Sequence, residues 1–244
     1  MEITELKERL QKIKAKGFIK ALKPEKKKDD GSVGNTLENE LEIEENNLPM
    51  PDLGMAELKA QRDNVTTLVN LVGKDPIWDL HLDLFPNNRL GKRIRKVYTV
   101  VKYGTISKNA NRMEYTLTSE INDRGLSVLC EGDKIKIKHI DGSTLCHYDN
   151  DDIKEKLLYK FGSLVYVLAK SKKVDGVEYF NYHTAYLYTG VSFEMFLNLI
   201  KSGEVKFDFK IGNLENGNPR DRGSIFRCDS DVFTKLYKTK EKIL

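Results

Sequence analysis

Two carboxylates and one ammonium group lie close together in the stretch PMPDLGMAELK. Asp52, Glu57 and Lys59 are separated by four residues and then by one. Two carboxylates can hold Mg²⁺ at a phosphodiester, and a lysine beside the ion can orient or activate the attacking water. In a chain with 37 acidic and 41 basic residues this spacing arises about once by chance, so it carries weight only in a suitable structural context.

The residues within this stretch predict that the three side chains converge. Apolar Leu58 separates Glu57 from Lys59, and this alternation places the two charged side chains on the same face of a strand. Asp52, in the turn before the strand, could reach the same ion as Glu57, and the backbone carbonyl of Leu58 could complete the oxygen shell. The pattern is therefore competent for metal-assisted hydrolysis.

Glu38 is a possible fourth polar group of the same site. It lies on a short predicted helix marked by Leu37 and Leu41, just before the turn. Asn35, three residues earlier, makes a pair close to a capping box, in which the glutamate serves only the helix N-terminus. The residues alone favour neither role over the other.

The composition predicts a chain that folds on its own and does not enter a membrane. The 244 residues, 39% of them hydrophobic, suffice for one domain, and no apolar run approaches the roughly 20 residues that span a bilayer. The charged amphipathic N-terminus differs from a signal peptide, so we expect a cytoplasmic protein. Cys130, Cys146 and Cys228 form no CxxC pair, and the histidines lack zinc-ligand spacing, which predicts reduced thiols and no structural metal.

The distribution of charge is more informative than the net charge of +4. Acidic residues concentrate in ENELEIEENN, whereas basic residues crowd into KPEKKK, NNRLGKRIRKVY, KIKIKH, KSKK, NPRDRGSIFR and KLYKTKEK. Basic loops around an acidic centre suit a cleft that binds a polyanion around a metal site. Any one of these runs taken singly is more simply explained as a solvated face.

Apolar periodicity predicts an α+β fold with a mixed sheet. The predicted helices cover residues 3–16, 152–161 and 192–203, and a closing helix starts at Asp231. The predicted strands are 65–72, 96–103, 113–121, 126–130, 133–140, 163–171, 177–190 and 205–212, and residues 213–227 form a loop. In strand 133–140, Ile135 and Ile137 face inward, and three lysines line a solvated edge, Lys134, Lys136 and Lys138.

Two separated segments resemble one nuclease family. The N-terminal segment carries LQKIKAKGF, GSVG, the LE at Leu37 and Glu38, ENN and PDLG followed by ELK, and it resembles the catalytic core of MvaI/BcnI-type restriction endonucleases. These enzymes are relatives of the mismatch-repair nickase MutH within the PD-(D/E)xK nuclease superfamily. Far downstream, RDRGSIFR resembles the family's His-Asp-(Arg/His)-Gly recognition loop, which leads into a strand ending in Arg.

The resemblance implies a PD-(D/E)xK fold over residues 1–244, a single nuclease domain of two lobes around a DNA cleft. Residues 1 to about 100 would be mainly the catalytic lobe, and about 101–244 mainly the recognition lobe. Asp52 and Glu57 would bind Mg²⁺ with the Leu58 carbonyl, Lys59 would orient or activate the water, and Glu38 would lie at the edge of the site.

The resemblance also implies that the downstream segment reads bases. Arginine donates two hydrogen bonds to guanine, and aspartate accepts one from cytosine, so Arg222, Arg227 and Asp221 suit a G·C-rich site. Lys210 and Arg220 are weaker candidates. A phosphate contact or a surface ion pair is the alternative for each of these residues, and for Lys210 it is the favoured one.

The expected function is that of a Mg²⁺-dependent type II restriction endonuclease acting on double-stranded DNA. The family implies a site of the CC-N-GG type, a prokaryotic monomer that cuts one strand and then the other, and a companion DNA methyltransferase. Two departures bear on the central base, since Arg220 stands where relatives carry His, and Gly73 lies near a loop where some carry another His. A MutH-like nickase and a catalytically silent DNA-binding module are the alternatives.

Overall fold

The computed structural model describes residues 1–22, 31–43, 51–79, 88–107, 112–212 and 220–244. Within these ranges, no helix combines the length and the apolar character that a membrane crossing requires. The helices and strands are mixed along the chain, as the sequence predicted.

The helices are α1 (Ile3–Ala15), α2 (Ser32–Glu40), α3 (Arg89–Tyr103), α4 (Asn150–Phe161), α5 (Phe193–Lys201) and α6 (Ser230–Phe233). The first seven strands are β1 (Ile19–Lys20), β2 (Glu57–Arg62), β3 (Leu68–Gly73), β4 (Ile77–Trp78), β5 (Thr105–Ser107), β6 (Arg112–Leu117) and β7 (Leu126–Glu131). The remaining strands are β8 (Lys134–His139), β9 (Thr144–Asp149), β10 (Ser163–Val174), β11 (Val177–Val191), β12 (Val205–Gly212), β13 (Arg220–Asp229) and β14 (Tyr237–Lys242).

The chain forms two compact units, each built from separated segments. Unit 1 comprises Met1–Thr67, Leu157–Ser192 and Thr234–Leu244, and unit 2 comprises Leu68–Lys156 and Phe193–Phe233. These units differ from lobes divided near residue 100, because β10, β11 and β14 pair with the sheet that begins in the N-terminal segment. Strand pairing between distant segments, rather than sequence order, sets the boundary.

Unit 1 contains the mixed sheet that the sequence predicted. Its strand order is β1-β11-β10-β2, and β14 pairs with β11. Strand β2 runs parallel to β10, whereas the other pairs are antiparallel. Because β2 lies at the end of this order, it pairs with one described strand, β10.

In the core of unit 1, the apolar faces of helices α1 and α2 pack with apolar residues of the sheet. Leu6, Leu10 and Ile13 of α1 are buried at the predicted helical spacing, and Gly17 follows the helix with a φ of +73°. Leu58 of β2 belongs to the same core, together with Leu37 of α2. The local apolar patterns of the N-terminal segment are therefore confirmed.

Unit 2 contains two antiparallel sheets, counted over the described residues. One has the order β3-β13-β12-β6-β5, and the other has the order β4-β9-β8-β7. Aromatic rings fill its core. The ring centroids of Phe207 and Phe226 lie 4.9 Å apart, and Trp78 stacks on Phe209 with 5.6 Å between the ring centroids.

Residues 96–103, predicted as a strand, form the second half of helix α3. Val and Thr in KVYTVVKY favour a strand, but the Asn88 side chain accepts a hydrogen bond from Gly91 N at 3.0 Å and caps a helix instead. Lys96, Thr99 and Val100 are buried at intervals of three and four residues. Helical packing outweighs the β-propensity of this segment.

Three other predictions about elements are wrong. The end of the expected loop 213–227 forms strand β13, which pairs with both β12 and β3, while residues 213–219 lie outside the described residues. The closing helix is short, because α6 continues only as a 3₁₀ turn over Thr234–Leu236, after which the chain pairs with β11 as β14. Strand β8 lies between β7 and β9 rather than at an edge. The pairings of β13 with β3 and of β14 with β11 join residues distant in sequence, whereas β8 pairs with the two strands that flank it along the chain.

Candidate active site

A tight turn brings Asp52 back onto the start of β2. Gly54 adopts a φ of +78°, which suits glycine, and its N–H donates to the carbonyl of Pro51 at 2.9 Å. Leu53 N then donates to Ala56 O at 3.0 Å. As a result, Asp52 Oδ2 accepts a hydrogen bond from Leu58 N at 3.2 Å, although five residues lie between them.

Glu57 and Lys59 share a face of β2, as the alternation predicted. Lys59 Nζ lies 2.5 Å from Glu57 Oε1 and 4.0 Å from Asp52 Oδ2. Leu58, between them, is buried in the core of unit 1. The structure therefore brings the three candidate catalytic residues into one cluster.

Burial differs sharply within this cluster. The Glu57 side chain is 1% exposed, whereas Asp52 and Lys59 are each 33% exposed. Glu57 Oε2 is fully buried and has no hydrogen-bond partner among the described residues. A buried carboxylate oxygen without a partner is unfavourable, so this atom is suited to a cation that enters the cluster.

The donor set fits a hard divalent cation. Asp52 and Glu57 offer carboxylate oxygens, and the Leu58 carbonyl belongs to the same short segment. No group of three or more His, Cys, Asp or Glu side chains among the described residues is arranged to hold a metal. Mg²⁺ suits so sparse a set, because it retains several waters and uses one or two carboxylates together with substrate phosphate.

A second lysine, which was not predicted as a site residue from the sequence, contacts the cluster. Lys160, in the last turn of α4, places Nζ 3.5 Å from Glu57 Oε1, and its side chain is 41% exposed. Strand β10 starts three residues later and pairs Leu164 with Glu57. Only this parallel pairing brings Lys160 to the site, so no local pattern could have revealed it.

Glu38 lies inside helix α2, which packs against β2. The helix begins at Ser32 after Gly31, and Asn35 N donates to Gly31 O at 2.9 Å, so Asn35 belongs to the helix rather than capping it. The capping-box interpretation is therefore wrong. Glu38 is partly buried, and its role at the edge of the site stays a prediction.

In unit 2, the predicted base-reading residues cluster on two paired strands. Arg220, Asp221, Arg222 and Arg227 belong to β13, and Lys210 belongs to the neighbouring β12. We call β13 the recognition strand. Its pairing with β12 is irregular between Phe209 and Ile211. Such a bulge redirects the side chains that follow it.

Arg227 and Lys210 meet a buried carboxylate that the sequence did not reveal. Asp208 Oδ2 lies 2.6 Å from Arg227 Nη1 and 3.4 Å from Lys210 Nζ, and Thr116 Oγ1 donates to Asp208 Oδ1 at 2.6 Å. Lys210 is only 7% exposed, so a surface ion pair is the wrong description of it.

Arg222 and Asp221 lie in different environments, because Asp221 borders the irregular pairing with β12 and Arg222 lies within it. The Arg222 side chain runs over Gly212, where a Cβ would lie 2.6 Å from Arg222 Nε, so a larger residue there would displace the flexible end of Arg222. Asp221 Oδ1 accepts from Lys96 Nζ at 2.6 Å and from Gly223 N at 2.8 Å. Arg220 is exposed.

A recess of about 450 Å³ opens beside the recognition strand. Its lining combines basic side chains with two acids and one ring: Asp75, Trp78, Lys92, Arg93, Lys96, Arg220, Asp221 and Gly223. The basic run NNRLGKRIRKVY was visible in the sequence, but no helix was predicted over it, and its last residues from Lys96 onward were predicted as a strand. The helical face that turns Lys92, Arg93 and Lys96 to one recess was therefore missed. Helix α3 therefore lines one side of the recess with basic side chains, which was not predicted from the sequence.

The cysteines do not compete as nucleophiles. All three are free thiols, as expected, and burial raises the pKa of Cys228 to about 12 and also raises those of Cys130 and Cys146. Because the thiolate is the reactive form, these residues are inert at neutral pH.

Comparison with known proteins agrees with this geometry. The model of the MvaI/BcnI restriction endonuclease family matches residues 7–237. The chain belongs to this family. A solved complex of the restriction endonuclease MvaI with its cognate DNA substrate matches over 100% of both chains, with a TM-score of 0.75 and 21% identity. MvaI without DNA matches over 100% of this chain and 99% of that one, with a TM-score of 0.53 and 20% identity. A comparison with curated proteins finds no match.

Membership confirms the restriction-endonuclease fold expected from the two segments. The two departures from the family pattern both fall in unit 2. Arg220 starts the recognition strand, and Gly73 ends β3 opposite Ile225. A Cβ at Gly73 would make only ordinary contacts, the nearest at 3.7 Å, so packing does not require glycine there.

Proposed function

We propose that this member of the family is a Mg²⁺-dependent type II restriction endonuclease that hydrolyses double-stranded DNA at a short specific site of the CC-N-GG type. The observation that carries this proposal is the cluster of Asp52, Glu57 and Lys59, in which one buried oxygen of Glu57 lacks a partner among the described residues. The MvaI complex with cognate DNA supports DNA as the substrate.

The metal would be held by Asp52, Glu57 and the Leu58 carbonyl. When bound, Mg²⁺ would neutralise charge on the phosphate and favour deprotonation of a bound water. Lys59 Nζ, 2.5 Å from Glu57, orients the attacking water beside the phosphorus. Hydrolysis leaves a 5′-phosphate and a 3′-hydroxyl. Glu38, on the helix that packs against β2, would lie at the edge of the site.

Recognition is assigned to the charged side chains of unit 2. Arg222 and Arg227 would each donate to guanine, and Asp221 would accept from cytosine. Arg220 and Lys210 are secondary contacts, Lys210 through its position beside Asp208. With Arg220 in the place of the family's usual His, the central base is read differently from that in relatives.

The protein acts as a monomer that cuts the two strands in turn, in a cell that protects its own DNA with a companion methyltransferase. The intact Asp, Glu and Lys set argues against a silent DNA-binding module. It does not separate a restriction enzyme from a MutH-like nickase, since both use this chemistry.

Digestion of a plasmid of known sequence with Mg²⁺, followed by sequencing of the ends, tests the proposal. We expect discrete linear fragments that share one short site. Nicked circles alone would support the nickase, and intact plasmid at all Mg²⁺ concentrations would overturn the enzymatic proposal.

Lys59→Ala is the matching test of the site. We expect cleavage to fall by roughly 10²–10⁴-fold, the usual range for a proton-transfer or water-orienting group, while binding to a site-containing duplex is retained. Lys20→Ala, an exposed lysine on β1 of the same unit, is the control and should cleave normally. Unchanged cleavage by Lys59→Ala would show that Lys59 takes no part in the reaction.

A further inference from the structure

We propose that Lys96 is a positioning residue for base recognition, which holds Asp221 so that one carboxylate oxygen can accept a hydrogen bond from the amino group of cytosine. The inference rests on the proposed function of a sequence-specific endonuclease. It assigns to helix α3 a part in specificity that neither the sequence motifs nor the family comparison provides.

Lys96 contacts Asp221 directly, through only one of the two carboxylate oxygens. Lys96 Nζ lies 2.6 Å from Asp221 Oδ1, and Gly223 N donates to the same oxygen at 2.8 Å. Both of these bonds end on Oδ1, which leaves Oδ2 as the atom that can meet a base. The Asp221 side chain is 32% exposed, so a ligand can reach it.

The backbone around Asp221 gives this arrangement a fixed origin. Gly223 has a φ of +104°, a conformation that strongly favours glycine, and it lies where the pairing of β12 with β13 is irregular. The hydrogen bond from Gly223 N holds the carboxylate against this bend from one side. Lys96 holds it from the helix side, so the orientation of Asp221 is set by two elements.

The burial of Lys96 indicates that packing alone does not explain it. Its side chain is 2% exposed, and a second carboxylate, Asp75, lies 3.9 Å away. Replacing a buried ion pair by apolar side chains of similar volume is often neutral or stabilising. A buried ammonium group whose partner is a candidate base-reading residue is therefore better explained by specificity than by stability.

The chemistry of Asp221 and its surroundings indicates which base this residue would favour. Lys92, Arg93 and Arg220 surround Asp221 with positive charge, which suits the approach of DNA. A carboxylate accepts hydrogen bonds but donates none. Cytosine presents an amino donor in the major groove, whereas thymine presents the carbonyl O4 at the same place and would be repelled.

The test compares cleavage of duplexes by wild type and by Lys96→Met. The probes are one duplex with the site mapped for the wild type and duplexes with each cytosine of that site changed, one at a time, to thymine with the matching adenine. For wild type, the changed pair read by Asp221 should lower kcat/KM by roughly tenfold or more. In Lys96→Met this preference at that one pair should shrink at least severalfold, and KM for the mapped site should rise more than kcat falls.

Lys92→Met is the control because Lys92 lines the same recess from the same helix. A phosphate contact weakens binding to all duplexes alike, so Lys92→Met should raise KM uniformly and leave the preference at every pair intact. Asp221→Asn should lose the preference by itself, and adding Lys96→Met to it should cause no further loss, because Lys96 acts through Asp221.

If folded Lys96→Met keeps the full preference for cytosine over thymine at that pair, the inference is overturned. It is also overturned if Lys96→Met lowers kcat/KM by the same factor in the wild type and in the Asp221→Asn background. If Lys96→Met does not fold, Lys96→Arg provides the second test. This variant keeps the positive charge and must retain the preference for cytosine. Absence of cleavage by the wild type would instead count against the proposed function, so the two failures are distinguishable.

Discussion

Glu57 in unit 1 and Asp208 in unit 2 are both almost completely buried acids beside basic side chains, yet their hydrogen bonding differs. Asp208 uses both oxygens, accepting from Thr116 on one and contacting Arg227 and Lys210 with the other. Glu57 contacts two lysines through Oε1 alone, and Oε2 has no partner among the described residues.

This difference indicates two roles for a buried carboxylate. An acid whose oxygens are all bonded by the chain is complete, so it fixes its neighbours, and here it holds Arg227 in place. An acid with a buried open oxygen is incomplete without a ligand. We therefore interpret Asp208 as a positioning group and Glu57 as a metal ligand.

Glu57→Gln should have the largest effect on activity. The amide is a poor ligand for Mg²⁺, so cleavage should fall by roughly 10³-fold. We expect Mg²⁺ to raise the melting temperature of the wild type but not that of this variant, whereas stability without the metal should change little. A variant that still gains stability from Mg²⁺ would mean that Glu57 is not a ligand.

Asp208→Asn should reverse this pattern and act mainly on stability. Without the carboxylate, the Arg227 and Lys210 charges lose their buried counter-charge, and the free energy of unfolding should fall by about 3 kcal/mol. Urea denaturation measures this loss, and Mg²⁺ should still stabilise the folded variant. A stability equal to wild type would remove the contrast between the two acids.

Lys160→Met should have the smallest effect of the three. Its amino group lies 3.5 Å from Glu57 Oε1, against 2.5 Å for Lys59, and its side chain is 41% exposed, so solvent screens the pair. We expect the rate constant for DNA cleavage, measured under single-turnover conditions, to fall severalfold, with sequence specificity unchanged. A loss as large as that of Lys59→Ala would instead make Lys160 an equal partner in the reaction.

Much of the catalytic cluster could be predicted from the sequence because its determinants are local. The alternation of Glu57, Leu58 and Lys59 fixes their faces on β2, and Gly54 permits the turn that returns Asp52 to the strand. The resemblance to the family supplied the context that made this short pattern significant, and the family match confirms that resemblance.

The prediction failed where helix capping and packing against other segments override local β-propensity. The β-branched residues of α3 favour a strand, yet the capping Asn88 and the buried face containing Lys96 make a helix. Likewise, the closing helix ends at Leu236 and the chain continues as strand β14, because β11 offers it an antiparallel partner. A single sequence contains no record of these partners.

The sequence by itself determined the chemistry available to this protein: which acids, lysines and arginines it carries, and which of them share a strand face or a turn. Only the tertiary structure decided which groups complete each other. Lys160 reaches Glu57 through a parallel strand pairing, and Lys96 reaches Asp221 across 125 residues of sequence. Alternation and turn chemistry act over a few residues, whereas burial and charge pairing depend on how distant segments pack.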